Sequence, residues 1–152
     1  MSAYYIDCEF DGHNGPLLSL AIVRDDAFGL HIRTFENAQD VWVIANVMPL
    51  MDCHKAQQSQ WIPLNEVGPS IKAFIGADQL PTIVADSPVD IGRFCAVIST
   101  GSTGEWSSCG YPEITFKVIN VDCYPTELPG AVQHNAWWDA MALRHIVKGA
   151  KQ

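Results

Sequence analysis

Residues 3–10, AYYIDCEF, place Asp7 and Glu9 two positions apart inside a run of aromatic and β-branched side chains. Such a run is a strand signal, and in a strand residues i and i+2 project from the same face. Two carboxylates on one face of a central, buried strand repel each other and are costly unless a cation or partner compensates them. Either the strand end is exposed and both acids are solvated, or the fold brings something positive to meet them.

Downstream, Gly12 to Pro16 reads as a turn, Leu17 to Val23 as a second strand, Asp25-Asp26 as a turn and Phe28 to Phe35 as a third strand. Short connections between them predict an antiparallel meander. From Gln39 to Met51 the period changes, with Val41, Ile44, Ala45 and Met48 at helical spacing. A second helix is expected between Leu64 and Ile75, its start weakened by Gly68 and Pro69. Thr82 to Ala85 reads as a short buried strand. Asp86-Ser87-Pro88 then opens a helix, with Ser87 as N-cap and Pro88 at the first position. That helix is expected to end near Thr100-Gly101, followed by a Gly/Ser loop to Pro112, a fifth strand over Phe116–Val121 and a last helix over Ala136–Val147. Strand–helix–strand order in this half implies parallel pairing through crossovers. The expected architecture is α/β, a five-stranded mixed sheet flanked by helices, in one domain spanning residues 1–152.

Four further polar positions stand out. Asp90 falls at the third helical position after Ser87, where a carboxylate also caps free N–H groups and complements the helix dipole. Asp86 ends the preceding strand, at the edge from which open α/β sheets present ligands. His134 and Asp139 bracket the start of the last helix (HNAWWD), with Asn135 as the expected N-cap. An imidazole on the loop can there reach over a carboxylate one turn inside the helix. His13, His31, His54 and His145 have no acidic partner at comparable spacing and are read as surface or local structure.

At 152 residues, 48% hydrophobic and 17% charged, the chain has enough apolar content for a core without disulfides or structural metal. No apolar stretch approaches the ~18 residues that span a bilayer, and no basic start followed by an apolar run suggests a secretory signal. Seventeen acidic against nine basic residues, a net charge of −8, count against a basic-patch DNA reader. A nuclease is still compatible, because bound divalent cations invert the local charge. Cys8, Cys53, Cys95, Cys109 and Cys123 are an odd set without C-x-x-C spacing. They are expected to be free, buried thiols of a cytoplasmic protein.

In YYIDCEF, VADSPVDIGRF and HNAWWDAMAL the acids and the histidine follow one another in the order of the DEDDh 3′–5′ exonucleases, which the chain resembles over nearly its whole length. Within that family it is most similar to the ribonuclease T-like enzymes, above all to the polyadenylate-preferring exoribonucleases of the RNase AS type, through DCEFDGHNGPLLSLAIV and VWVIANVMPLM. The resemblance implies a ribonuclease H-like fold, ligation of two Mg²⁺ or Mn²⁺ ions by Asp7, Glu9, Asp90 and Asp139, and His134 as general base. It also implies hydrolysis of single-stranded RNA from its 3′ end, and a homodimer. Asp86 stands where many members carry Asn, and is expected to touch substrate or metal-associated water, or to cap the helix. Phe10 is expected either to stack on a terminal base or to pack in the core. Trp42, Trp61, Trp137 and Trp138 are further stacking candidates that equally suit a core. The same five site residues would serve DNA, and a binding module that kept the fold without catalysis is a third reading.

Overall fold

The computed structural model describes residues 2–99 and 113–149. Its strands are β1 (Ala3–Phe10), β2 (Leu17–Arg24), β3 (Gly29–Thr34), β4 (Gln58–Ile62), β5 (Thr82–Ala85) and β6 (Thr115–Val118). Its helices are α1 (Val41–Asn46), α2 (Val67–Ile75), α3 (Pro88–Ile98) and α4 (Ala136–Gly149), with 3₁₀ turns at Met48–Leu50, Leu64–Glu66 and Pro125–Glu127. The strands form one mixed sheet in the order β4-β3-β2-β1-β5-β6. β1, β2 and β3 make the expected antiparallel meander, while β4, β5 and β6 each join in parallel.

The sheet therefore has six strands, not five. The additional strand, β4, is the sequence QSQWI at an edge, where half-exposed polar residues leave no apolar alternation to read. The helix expected over Gln39–Met51 is shorter: α1 stops at Asn46, and Pro49 sits in the 3₁₀ turn that follows. The loop expected over 101–112 lies outside the described residues. Ser87 caps α3 as expected, its hydroxyl accepting from the Val89 amide at 3.1 Å.

Alternation along β1 sorts the core. Tyr4, Ile6 and Cys8 join Leu20, Ile22 and Ile32 against Val67 and Ile71 of α2 and Phe94 and Val97 of α3. α2 and α3 approach closely because position 68 is glycine; a Cβ there would meet the Val97 carbonyl oxygen at 2.4 Å. On the opposite face Tyr5, Ala21, Val23 and Val84 pack under Trp137, Leu143 and Val147 of α4. Trp137 and Trp138 are thus core residues. Asp7 and Glu9 share this second face by parity.

One irregularity matters to the site. Glu9 pairs with Ser19 but Phe10 pairs with Leu17, so Leu18 is an extra residue on β2. Such a bulge re-aims a side chain, and Leu18 seats α1 through Val43, Val47 and Met51. Asp11 fixes the other end, accepting the Gln39 and Asp40 amides at 2.8 Å each. Asp40 in turn caps α1 through the Trp42 and Val43 amides.

His31 corrects the surface assignment. It is fully buried, stacks edge-on against His54 with ring centroids 4.5 Å apart, and neither ring nitrogen meets a partner among the described residues. Burial, then His54 and Arg33, push its pKa down to about 3. His145 is at the surface as expected, 3.3 Å from Glu127 in an exposed pair. Cys53 is exposed rather than buried, and Cys95 and Cys123 are half-buried; Cys109 lies outside the described residues.

Below an unfolded pKa of ~6.5 the unfolded chain takes up a proton that folded His31 refuses, so this contribution to stability falls as pH drops. The loss amounts to about 2 kcal/mol by pH 5. Urea denaturation of the parent and of His31→Phe at about pH 7.5 and about pH 5 measures it. The parent should lose more stability than the variant by roughly this amount, and identical pH responses would refute the assignment.

Candidate metal centre

β1 and β5 run parallel and pair from Ala3–Thr82 only as far as Tyr5–Val84. Beyond that point the two strands no longer pair, and the crevice outside the carboxyl ends of parallel strands is where such sheets bind ligands. Asp7 and Glu9 project here from β1. Asp86 follows the last residue of β5, and Asp90 stands in the first turn of α3. Asp139 occupies the first turn of α4, whose start is capped by Asn135 Oδ1 accepting from the Trp137 and Trp138 amides at 3.1 and 3.4 Å.

Three distant segments therefore converge. Asp7, Asp86 and Asp90 offer ligand atoms that all lie within 4.8 Å of one another, and so do Asp7, Glu9 and Asp139. Asp7 belongs to both sets. A cavity of about 230 Å³ opens onto them, lined among others by Asp7, Asp86, Cys123, His134 and Asp139.

The electrostatics of this cluster are unbalanced. Burial is the first cause of a raised pKa at every one of its acids, and at all but Asp86 the neighbouring carboxylates add to it. Asp7 is raised well above the usual range by burial and then by Asp90, Asp139, Glu9 and Asp86. Glu9 is pushed up to about 8 by burial, then Asp139 and Asp90. Asp90 reaches about 7 through burial and Asp86, although the Cys8 amide pulls it down. Asp139 also reaches about 7, held back by the backbone amides of Asn135 and His134. Among the described residues no ion pair reaches any of these carboxylates. Clustered, half-desolvated carboxylate oxygens without a protein cation are a donor set suited to hard divalent ions.

Asp86 is raised by burial and hydrogen-bonds to Asp90 and to the Cys123 thiol. Helix capping falls to Ser87, so the carboxylate of Asp86 belongs to the cluster. Cys123, raised to about 12 chiefly by burial and Asp86, is a wall of the site that an isolated cysteine in the sequence gave no reason to single out. Cys8 faces the other side of the sheet, in the core.

His134 lines the acidic cavity from the loop before α4 and adopts φ 58°, a left-handed conformation uncommon for a side chain-bearing residue. Its loop is tied down next door, where Asn135 Nδ2 donates to the Leu50 carbonyl at 2.7 Å. A second cavity of about 480 Å³ adjoins Glu9 and is walled by Phe10, His13, Asp40, Trp42, Val43 and Val47. Phe10 packs against the core, one of its two expected roles, and also lines this cavity. Arg93 lies over its ring at 4.4 Å and is anchored to the Gly15 and His13 carbonyls. Trp61 is elsewhere, at the β4 edge, under Arg33 and stacked on Phe35.

No family model matches the chain, and no curated protein matches it. The site therefore stands on its geometry.

Folded carboxyl groups with raised pKa values hold protons that the unfolded chain has released. The metal-free protein should accordingly lose stability as pH rises from ~4 towards ~8. Mg²⁺ at ~100 times its dissociation constant adds about 2.7 kcal/mol, a rise of about 5–10 °C for a chain of this length. Asp7→Asn removes the shared ligand and one buried charge. Thermal melts with Mg²⁺ and with chelator should show this variant more stable than the parent without metal and unresponsive to Mg²⁺. A parent that melts identically in both solutions would count against the centre.

Proposed function

We propose that the protein is a metal-dependent 3′–5′ exonuclease of the DEDDh type with a ribonuclease H-like fold, removing nucleotides from the 3′ end of single-stranded RNA. The observation that carries this reading is the sharing of Asp7 by two carboxylate triads. One residue common to two sites is what a pair of neighbouring divalent ions requires, and two ions ~3.5–4 Å apart suit phosphodiester hydrolysis. Mg²⁺ or Mn²⁺ so held would relieve charge at phosphorus and on the leaving oxygen, and acidify the attacking water.

The chain's own residues do the rest. Glu9, Asp90 and Asp139 complete the ligand set around Asp7, and Asp86 adds a fifth carboxylate beside Asp7 and Asp90. His134 accepts the proton of the attacking water on its unprotonated ring nitrogen, a task suited to an imidazole near neutral pH. The Asp139 carboxylate receives the His134 amide and so holds the base's backbone over the cluster. Phe10 and the cavity beside Glu9 hold the terminal base, because aromatic stacking on an unpaired base is worth ~1–3 kcal/mol. With few Lys and Arg for a long phosphate track, the grip is confined to the last nucleotides. A cytoplasmic homodimer belongs to the same reading.

Incubation with end-labelled single-stranded RNA, matched DNA, duplex and poly(A), in Mg²⁺, Mn²⁺ or chelator, tests it. A ladder shortening from the 3′ end of RNA, absent in chelator, is the expected result. Faster loss of DNA would reassign the substrate, and no cleavage of any strand would leave a binding module. His134→Ala should keep the Mg²⁺-dependent rise in melting temperature while turnover falls by about 10²- to 10⁴-fold. Parental turnover in that variant would remove the histidine from the reaction.

A further inference from the structure

We infer that Trp42 is a positioning residue for His134, acting through a direct ring contact rather than as part of the acid cluster; this rests on the function proposed above. The two rings meet edge to face, with centroids 5.0 Å apart and planes at 82°. Trp42 is 54% exposed although it is one of the largest apolar side chains in the chain. Core packing therefore does not account for its place.

The backbone around the contact is fixed from both sides. On the Trp42 side, buried Asp11 at the end of β1 holds the Gln39 and Asp40 amides, and Asp40 Oδ1 accepts the Trp42 amide at 2.8 Å. On the His134 side, Asn135 Nδ2 reaches the Leu50 carbonyl and Trp138 Nε1 donates to the Cys53 carbonyl at 2.6 Å. The two anchors tie the N-cap and the first turn of α4 to the segment that follows α1. The frame determines where the two backbones lie, and the indole determines where the imidazole rests between them. His134 itself stands on the loop before α4 in a left-handed conformation, and the Trp42 indole is the ring that meets its imidazole.

Trp42 also lines the cavity beside Glu9, so a loss of activity on its removal has two candidate causes. A base-free phosphodiester separates them. Edge-to-face pairs are worth enough to change a rate by about three- to tenfold. Trp42→Leu should lower kcat by about that factor on both single-stranded RNA and bis(p-nitrophenyl) phosphate, which offers no nucleobase to stack. Trp42→Phe, which keeps an aromatic partner, should restore most of it, and both variants should keep the Mg²⁺-dependent rise in melting temperature. A loss confined to KM on RNA, with the base-free diester hydrolysed at the parental rate, would make Trp42 a base platform and overturn the inference. A readout independent of turnover accompanies the kinetics. In protein with isotope-labelled histidine, the His134 ring resonances should carry a ring-current displacement that Trp42→Leu removes and Trp42→Phe retains. If those resonances stay where they are in Trp42→Leu, the inference fails whether or not the protein cleaves RNA. If they move as expected in a protein that cleaves nothing, the contact stands and the proposed reaction falls.

Discussion

Mutual repulsion of carboxylates around Asp7 is the constraint on which the rest of the structure turns. Five acids from β1, the end of β5 and the first turns of α3 and α4 face one another, and among the described residues no ion pair reaches them. A chain keeps such an arrangement only if the elements carrying the acids are held by something else, and here they are. β1 is flanked on both sides, by β2 and β5, so Asp7 and Glu9 cannot swing away without breaking the sheet. α3 and α4 are fastened by apolar residues on opposite faces of that sheet. Each also presents its positive dipole end to the cluster, where a nearby carboxylate gains typically 0.3–1 kcal/mol. That offsets part of the repulsion and leaves the remainder for a divalent ion.

The second cavity depends on a different device. Had β2 continued its register past Ser19, Leu18 would face α2 and α3, leaving α1 without its apolar seat. The bulge turns Leu18 towards Val43 and Val47, and Asp11 clamps the chain just before α1. A six-residue helix too short to be stable alone is thereby held beside Glu9, with Trp42 at its mouth. A one-residue irregularity in the sheet thus shapes the wall of the cavity beside Glu9.

Local chemistry made much of this legible. The D-x-E pair announced itself because acids are rare inside a strand, and Ser87-Pro88 and Asn135 marked two helix starts through capping alone. Those signals put all five acids and His134 on the right elements, and the structure brings them to one crevice. What was not legible lacked a local signature. β4 is a polar edge strand whose existence depends on β3 beside it, and α1 ends early because Pro49 favours a 3₁₀ turn. His31 looked like surface polarity, yet its register with Ala21 and Asp7 places it under α4. Cys123 and Trp42 reach the site only through tertiary contacts, and no spacing rule connects residue 42 with residue 134.

The net charge of −8 then bears on the order of events in the proposed reaction. A phosphate backbone approaching five clustered carboxylates meets repulsion, and few Lys or Arg side chains are available to overcome it. Binding of divalent cations reverses the sign of the potential at the crevice. On the proposed reading cation and nucleic acid would therefore bind with positive coupling, each raising the affinity for the other by the same factor. A protein with a basic track would hold RNA in the absence of metal; on the proposed reading an acidic one of this design would not. Selectivity for a strand end, as proposed, would follow from the same balance. Attraction is concentrated at the ions and in the adjoining aromatic cavity, so a substrate gains most when its last nucleotide fills both.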